Sequence, residues 1–393
     1  MNILLGTHHL EVRAGSELFT AELASAFHAR GHAVSVFTFF KGPVAEEIQA
    51  RGIPVFDPDD QGTISRLAPD IVQTNHIPCA HYLRHVIPDG VRVHAVLGVF
   101  PHLETPPLDG EAYSLGLVVS EEVFDRVNRT SFGKQVEIEI LRNWFNDKMV
   151  VPAVRRNHPQ TVRVAVVSNH IAPELTAALA ELRAAGRVDV DYFGVQRKSV
   201  VVDGDLLTKY DLIVSIGRTV LLAAACGVPC VMADIYGSDG LLTADNLDLV
   251  RTVNFSGRLK RLPITATHLH EELSKLHSYD REQLRRRVTT EHSLNCCAER
   301  LLSRYETLLA DQRRRQPLVG PRLLPPGEGL VHAEITAEVR QLRKALIETQ
   351  SKLRDVPGSA GFKKVRCTSG IRGLWNRGLM SLARMFKAGQ PGS

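Results

Sequence analysis

Along the first 150 residues of the chain, short apolar runs alternate with segments in which apolar residues recur every three or four positions. Runs of about four to eight apolar residues bounded by turn-forming residues predict buried strands, and apolar positions three or four apart predict helices. The predicted strands cover residues 2–5, 33–38, 71–73, 91–97, 117–119 and 136–140, and helices are expected over residues 16–30, 44–51 and 63–67. This alternation predicts an α/β fold in which helices cover both faces of a parallel sheet.

A second strand–helix series follows a charged, turn-prone segment at residues 151–160. It starts with the apolar run 162–167 and continues through a helix at 173–185 and a strand at 188–193. A pattern that restarts after a linker predicts two Rossmann-like domains. We place the N-terminal domain at residues 1–155 and the C-terminal domain at residues 156–315.

Residues 210–246 form the most informative unit of the second series. An apolar strand at 212–214 enters the turn Ser215-Ile216-Gly217-Arg218-Thr219, and an alanine-rich helix and a second strand at 230–233 follow. The amino end of such a helix offers free backbone N–H groups to a phosphate. Gly217, Arg218 and Thr219 are therefore candidate phosphate-binding residues.

Composition and charge narrow the class of protein. A length of 393 residues predicts two domains with appendages, and 44% apolar with 23% charged residues is typical of a soluble globular protein. The net charge of +5 is concentrated after residue 355, where Asp and Glu are absent, so the remainder is close to neutral. A near-neutral body argues against nucleic-acid binding.

Targeting and metal signals are weak in this sequence. The amino terminus has no basic region before a long apolar core, and no segment supplies the roughly 20 apolar residues of a membrane span. The six cysteines lack paired metal-ligand spacing. We expect a cytoplasmic protein with reduced thiols and no bound metal.

The C-terminal quarter predicts helices and a basic tail. A helical stretch to residue 315 is followed by a Pro/Gly-rich linker at 316–329 and a polar helix at 330–355, which either packs on the body or forms a short coiled coil. In the tail 356–393, residues 370–388 form a basic amphipathic pattern. That pattern is compatible with contact to the inner face of a membrane, or with a terminal helix docked on the body or a disordered end.

Several motifs occur in an order that resembles family 4 glycosyltransferases. They are Ala14-Gly15-Ser16-Glu17, the RGHAVSVFT strand at residues 30–38, the PDIVQTNH strand end at residues 69–76, and the passage from Ser120-Glu121 to ILRNWFN at residues 140–146. The resemblance covers roughly residues 1–310. It implies the GT-B architecture, in which two Rossmann-like domains face a cleft.

The resemblance also implies an activity. An enzyme of this kind moves a sugar from a nucleotide-sugar to a glycan or lipid-linked acceptor, here in cell-envelope polysaccharide synthesis. The N-terminal domain would face the acceptor and the C-terminal domain would bind the donor. Transfer would retain the anomeric configuration and need neither metal nor cofactor.

Candidate site residues of the N-terminal domain lie at strand ends, where parallel sheets bind ligands. Gly15 follows the first strand and lets backbone N–H groups approach the donor phosphate or the acceptor. In the resembling family a histidine of this region contacts the donor sugar. His76 and His102 are the candidate catalytic residues, and the other histidines near predicted strand ends are His8, His9 and His94.

In the C-terminal domain, the resemblance implies an Arg/Lys pair on the donor phosphates. The first matching loop, residues 168–170, has no such cation, so Arg197, Lys198 and Arg218 are the candidates. Lys198 can equally be a solvated surface charge. Arg218 is favoured, because a guanidinium and free helix amides can share one phosphate.

The sequence departs from the family at Leu222, where a ribose-binding glutamate is expected. Leucine cannot accept hydroxyl hydrogen bonds, so nucleotide affinity should weaken by about 1–3 kcal/mol per lost bond. Asp239, next to Gly240, is the nearest acid that could substitute.

Leu222 leaves two alternatives open beside the transferase. The first is a catalytically degenerate GT-B protein that acts as a binding or scaffold partner. The second is a nucleotide-sugar epimerase, which would need a cluster of cleft acids that the sequence does not clearly provide.

Overall fold

The computed structural model describes residues 1–87, 89–99, 102–153, 160–194, 200–314, 339–340 and 342. In these ranges the chain forms two sheets flanked by helices, and both sheets belong to one compact unit. Apart from helical residues 339, 340 and 342, the predicted linker, polar helix and basic tail lie outside the described residues. None of the described helices combines the length and the apolar character needed to cross a bilayer.

The first sheet has seven parallel strands in the order β3-β2-β1-β4-β5-β6-β7. The order changes direction at β1, so a crevice opens beyond the carboxyl ends of β1 and β4. The strands are β1 (Asn2–Leu10), β2 (Ala33–Lys41), β3 (Val55–Phe56), β4 (Ile71–Asn75), β5 (Val91–Val96), β6 (Leu115–Val118) and β7 (Ile138–Ile140). The helices are α1 (Gly15–His28), α2 (Pro43–Gln49), α3 (Gln61–Ile64), α4 (Ile77–Val86), α5 (Glu121–Asn128) and α6 (Ser131–Gln135).

The second sheet has five strands in the order β12-β11-β10-β8-β9, of which only β12 is antiparallel. The strands are β8 (Val162–Val167), β9 (Val188–Phe193), β10 (Leu212–Ser215), β11 (Cys230–Asp234) and β12 (Gly237–Leu241). The helices are α7 (Pro173–Ala184), α8 (Gly204–Leu207), α9 (Arg218–Cys226), α10 (Leu247–Val250), α11 (Ala266–Ser274), α12 (Arg281–Glu291) and α13 (Leu294–Arg314). Both sheets agree with the predicted α/β class.

Strand β12 was not predicted from the sequence. Its residues, GSDGL, have the composition of a turn and show no strand pattern. Pairing with β11 and nearly complete burial override that local preference, because the backbone groups of β12 find their partners across the sheet.

The last long helix returns to the first sheet. The apolar side of α13, including Leu301 and Tyr305, packs in the same buried cluster as Phe19 and Phe27 of α1. The Tyr305 hydroxyl donates to the side-chain oxygen of Gln73 on β4. The sequence assigned residues 156–315 to the second domain, whereas α13 completes the core of the first sheet.

Candidate active site

Three histidines meet at the carboxyl edge of the first sheet. His8 and His9 lie near the end of β1, and His76 directly follows the neighbouring strand β4. His76 Nδ1 accepts a hydrogen bond from the backbone N–H of His8 at 3.1 Å. The rings of His9 and His76 stack with centroids 5.9 Å apart and an angle of 2° between the planes. The order of parallel strands therefore brings together side chains 67 or more residues apart in sequence.

A buried glutamate holds His9. Glu17, in the first turn of α1, is 0% exposed, and its Oε1 lies 2.9 Å from Nε2 of the His9 side chain, which is 27% exposed. Burial opposes ionisation of Glu17, but its contacts with His9 and Ser16 together hold the carboxyl pKa below its ordinary value. The ionised carboxylate favours a proton on Nε2, which leaves Nδ1 as the basic nitrogen. This is the arrangement of a general base.

His8, the neighbour of His9 on β1, is neutral. Burial, followed by the neighbouring rings of His9 and His76, holds the pKa of His8 well below its ordinary value. His8 Nδ1 lies 3.1 Å from His9 Nδ1, so a neutral His8 can donate to the basic nitrogen of His9. His94, fully buried, has a pKa lowered to about 3 by burial, and its Nδ1 lies 3.0 Å from the Thr74 hydroxyl oxygen.

The two predicted catalytic histidines occupy different environments. His76 is buried, adopts a positive φ of 72° before α4, and its Nε2 lies 3.5 Å from Glu104 Oε1. His102 lies on an exposed turn, and its carbonyl accepts from the Thr105 hydroxyl at 2.9 Å. The structure thus places Glu104, not His102, against His76. His9 is the histidine of this edge that combines a buried carboxylate partner with exposure.

Helix α1 follows β1 of the first sheet and helix α9 follows β10 of the second sheet. Neither helix has a side-chain cap at its amino end. Gly217 precedes α9 with φ 61° and donates its N–H to the carbonyl of Phe255 at 3.0 Å. Having no side chain, Gly217 cannot accept a helix N–H, so the first turn that includes Thr219 keeps N–H groups for an anion. Gly15, exposed at the start of α1, follows Ala14, whose methyl group also cannot cap.

Arg218 connects the two sheets. Its Nη2 is ion-paired with Glu22 of α1, and its Nε donates to the carbonyl of Trp144 at 3.3 Å. The guanidinium carbon lies 5.5 Å from the centroid of the Trp144 ring, whose Nε1 donates to Glu22 Oε2 at 2.8 Å. Nη1 of Arg218 has no hydrogen-bond partner among the described residues. Most of the predicted phosphate ligand is thus engaged by protein, and Nη1, which has no partner among the described residues, is itself buried.

Two of the four remaining predicted donor residues, Asp239 and Gly240, are among the described residues. Asp239, the predicted substitute for the missing glutamate, is buried in β12, and its Oδ1 accepts from the Lys260 N–H at 2.7 Å. Gly240 has φ 81°, and an added Cβ would lie 3.1 Å from both carboxylate oxygens of Glu272. Arg197 and Lys198 lie outside the described residues.

Leu222 lies on the buried side of α9 in the apolar cluster that contains Phe145 and Phe255. Leu222→Glu would remove an apolar side chain and bury a carboxyl in its place. We expect it to lower the free energy of unfolding by about 3 kcal/mol or more. Urea unfolding followed by circular dichroism measures this effect.

Two matched variants separate burial from charge at this position. Leu222→Met, which conserves volume, should cost less than about 1.5 kcal/mol. Val201→Glu, on an exposed side chain, should change stability by about 0.5 kcal/mol or less. A stable Leu222→Glu protein with tighter nucleotide binding would contradict this account of the site.

Some residues of the site were missed from the sequence. Glu17 and Trp144 were quoted only as parts of motifs, and Glu22 was not selected at all. The available signal was a pair of glutamates on a helix with an otherwise apolar buried side. Buried acids need partners, so Glu17 and Glu22 could have been flagged without identifying His9 or Arg218 as those partners.

The fold is shared with solved structures of low sequence identity. A glycosyltransferase from Rickettsia africae is 15% identical, with a TM-score of 0.56 over 78% of this chain and 98% of its own. HepE from Anabaena in complex with UDP-glucose is 13% identical, with a TM-score of 0.54 over 78% of this chain and 100% of its own. No protein-family model matches the chain, and no curated protein matches its sequence. The shared architecture shows that this chain has the GT-B fold.

Proposed function

We propose that this chain is an enzyme, a glycosyltransferase that moves a sugar from a nucleotide-sugar donor to a glycan or lipid-linked acceptor. Its fold is that of the Anabaena protein solved with UDP-glucose. One observation carries the proposal beyond the fold. Helix α1 touches both candidate half-sites, because Glu17 holds His9 and Glu22 holds Arg218.

Helix α1 contributes one glutamate to each half-site. Glu17 and Glu22 are five residues apart, a rise of about 7.5 Å along a helix. The two glutamates are also about 140° apart around the helix axis, so α1 pairs with His9 on one side and with Arg218 on another. A sugar attached to a diphosphate at the first turn of α9 would bring its reacting carbon between His9 and Arg218.

The residues support a balanced transfer reaction. The acceptor hydroxyl oxygen forms a bond to the anomeric carbon, and the bond from that carbon to the diphosphate oxygen breaks. The hydroxyl proton passes to His9 Nδ1, which exchanges its 3.1 Å contact with His8 Nδ1 for the acceptor hydroxyl, and the electron pair leaves with the diphosphate. Arg218 Nη1 and the first N–H groups of α9 stabilise the leaving charge.

The stereochemical outcome depends on where the proton goes. The family resemblance implied retention. Proton transfer to His9 instead favours direct displacement, which inverts the anomeric centre. The proton coupling constant at the anomeric position of the product, measured by NMR, distinguishes the two outcomes. The proposal includes no metal, so transfer should persist in EDTA.

The cellular setting of the reaction is also a proposal. The resemblance implied a cytoplasmic enzyme of cell-envelope polysaccharide synthesis, with residues 370–388 as a candidate contact with the inner face of the membrane. If that contact exists, vesicles containing anionic lipid should bind the full chain, and a chain truncated after residue 355 should not bind to them.

Donor binding tests the central proposal. The purified chain should bind a nucleotide diphosphate, with UDP, GDP and ADP compared by isothermal titration, and should transfer or hydrolyse the corresponding nucleotide-sugar. Arg218→Ala should weaken nucleotide binding by about tenfold, since it removes a charged hydrogen-bond donor. If the folded wild type binds none of these nucleotides or nucleotide-sugars, the proposal is wrong.

A second candidate function follows from Leu222. If no other group replaces the missing glutamate, the chain would be a GT-B protein that binds a partner without turnover. Nucleotide binding without transfer or hydrolysis, retained in His9→Ala, would favour this function. Turnover at ordinary enzyme rates of about 1 s⁻¹ or more would exclude it.

A further inference from the structure

Two buried oxygens near the carboxyl end of β11 have no hydrogen-bond partner among the described residues. They are Oδ1 of Asp234, the last residue of β11, and Oγ of Ser256. The two residues are 7% and 4% exposed. Nearly all buried polar groups in proteins are hydrogen-bonded, so two neighbouring exceptions need a physical explanation.

The segment that carries Ser256 has an unusual backbone. Asn254 and Phe255 adopt φ values of 57° and 54°, a region that a bulky aromatic residue rarely occupies. Such strain persists only where the surroundings fix it, and it occurs most often at functional sites. Asn254 Oδ1 accepts from Asn143 Nδ2 at 2.8 Å, and Phe255 is buried in the core of the second sheet.

This strained segment adjoins both the phosphate turn and Asp234. The Phe255 carbonyl accepts the N–H of Gly217, the residue before α9. An added Cβ on Gly257 would lie 2.7 Å from the carbonyl oxygen of Gly237 and 3.6 Å from the backbone nitrogen of Asp234. Asp234 and Ser256 therefore lie in one corner, between the end of β11 and the turn that begins α9.

Side chains on the outer side of this corner are fixed by ion-pair and ring contacts. The Arg258 guanidinium is ion-paired with Glu122 of α5 and lies 5.8 Å from the centroid of the Tyr236 ring. Tyr236 itself is partly exposed. Burial, opposed by the Ile235 N–H, His170 and Arg258, raises the pKa of Asp234. A carboxyl group in this place suits a neutral hydroxyl donor and disfavours an anionic phosphate.

We propose that Asp234 and Ser256 bind a hydroxyl group of the nucleotide-sugar. They would do so in place of the glutamate that is expected at the position of Leu222. The inference rests on the proposed glycosyltransferase function and adds a site that neither the sequence motifs nor Asp239 provided. The hydroxyl belongs to the ribose or to the transferred sugar. Both sources present the same chemistry to the carboxylate, and ligand choice separates them.

Isothermal titration of the full chain with UDP, 2′-deoxy-UDP and UDP-glucose tests this site. If the ribose is bound, wild type binds UDP about tenfold more tightly than 2′-deoxy-UDP, and Asp234→Ala removes the difference. If the sugar is bound, Asp234→Ala keeps the UDP affinity and binds UDP-glucose about tenfold more weakly. Ser256→Ala should shift the same ligand in the same direction by a smaller factor.

A control variant and a stability measurement make the outcome decisive. Asp189→Asn changes an exposed carboxylate near the opposite end of the same sheet and should leave all three dissociation constants unchanged. Without ligand, Asp234→Asn should melt at the wild-type temperature or above, because it removes the charge of a buried carboxyl whose Oδ1 has no hydrogen-bond partner among the described residues.

Two results would separate this inference from the function on which it rests. Asp234→Ala and Asp234→Asn proteins that melt lower but bind all three ligands like wild type would give Asp234 a structural role and overturn the site. A folded wild type that binds no nucleotide or nucleotide-sugar would instead overturn the proposed function.

Discussion

His9→Ala is expected to lower kcat for glycosyl transfer about 10²- to 10⁴-fold, the usual contribution of a positioned general base. The dissociation constant of the donor should change little, because the donor phosphates contact the other half of the site. Glu17→Gln should give an intermediate loss, since the amide keeps the shape of the contact but no longer fixes the His9 tautomer by its charge. Steady-state kinetics with the identified donor and acceptor measure both effects.

Two further measurements show whether the loss comes from the missing base. Added imidazole should restore part of the activity of His9→Ala, but not that of a variant that is simply unfolded. His102→Ala, on the exposed turn, is the matched control and should keep wild-type kcat. A large loss in His102→Ala with none in His9→Ala would reverse the assignment and support the residue chosen from sequence.

Glu22→Ala is expected to lower the free energy of unfolding by about 3 kcal/mol or more. The substitution leaves the Arg218 guanidinium without its counter-ion and the Trp144 indole N–H without its acceptor, both in largely buried surroundings. Breaking one side of a buried ion pair is costly for this reason, although the intact pair contributes much less. Urea unfolding, followed by circular dichroism and by tryptophan fluorescence, measures the change.

A double-mutant cycle distinguishes this ion pair from ordinary surface charge. Glu22→Leu combined with Arg218→Met should be more stable than the sum of the single losses predicts, with a coupling of about 1–3 kcal/mol. Arg13→Met is the control, because the side chains of Arg13 and Glu47 are 30% and 40% exposed and their pair should contribute at most about 1 kcal/mol. Equal losses at both pairs would contradict the role given to Glu22.

The strand–helix pattern predicted most of the fold because residues close together in the sequence determine where strands and helices form. Strand β8 was predicted with the bounds that the structure has, and α7 was predicted to within one residue. Continuous apolar runs and helical periods survive in the structure wherever burial and local preference agree. They disagree at β12, where glycines and an aspartate form a buried edge strand, and so the sequence pattern failed there.

The candidate site was less predictable than the fold. Strand ends correctly indicated where side chains would gather, and His8, His9 and His76 do meet there. The pairing of His9 with Glu17 depends on the orientation of α1 against β1, and no local pattern encodes that orientation. Asp239 was chosen as a substitute for the missing glutamate, and Gly240 as its neighbour in the donor site, whereas packing buried both inside the sheet.

By itself, the sequence determined the α/β class, the two strand–helix series and the glycine turn before α9, because each follows from periodicity or from backbone freedom at one position. The tertiary structure alone decided that Glu17 holds His9, that Glu22 of the first half neutralises Arg218 of the second, and that α13 returns to the first core. Among these contacts, Glu22 and Arg218 are 196 positions apart, and Tyr305 of α13 and Gln73 are 232 positions apart. Burial and charge compensation determine these pairings once the elements pack together. Local sequence therefore does not predict them.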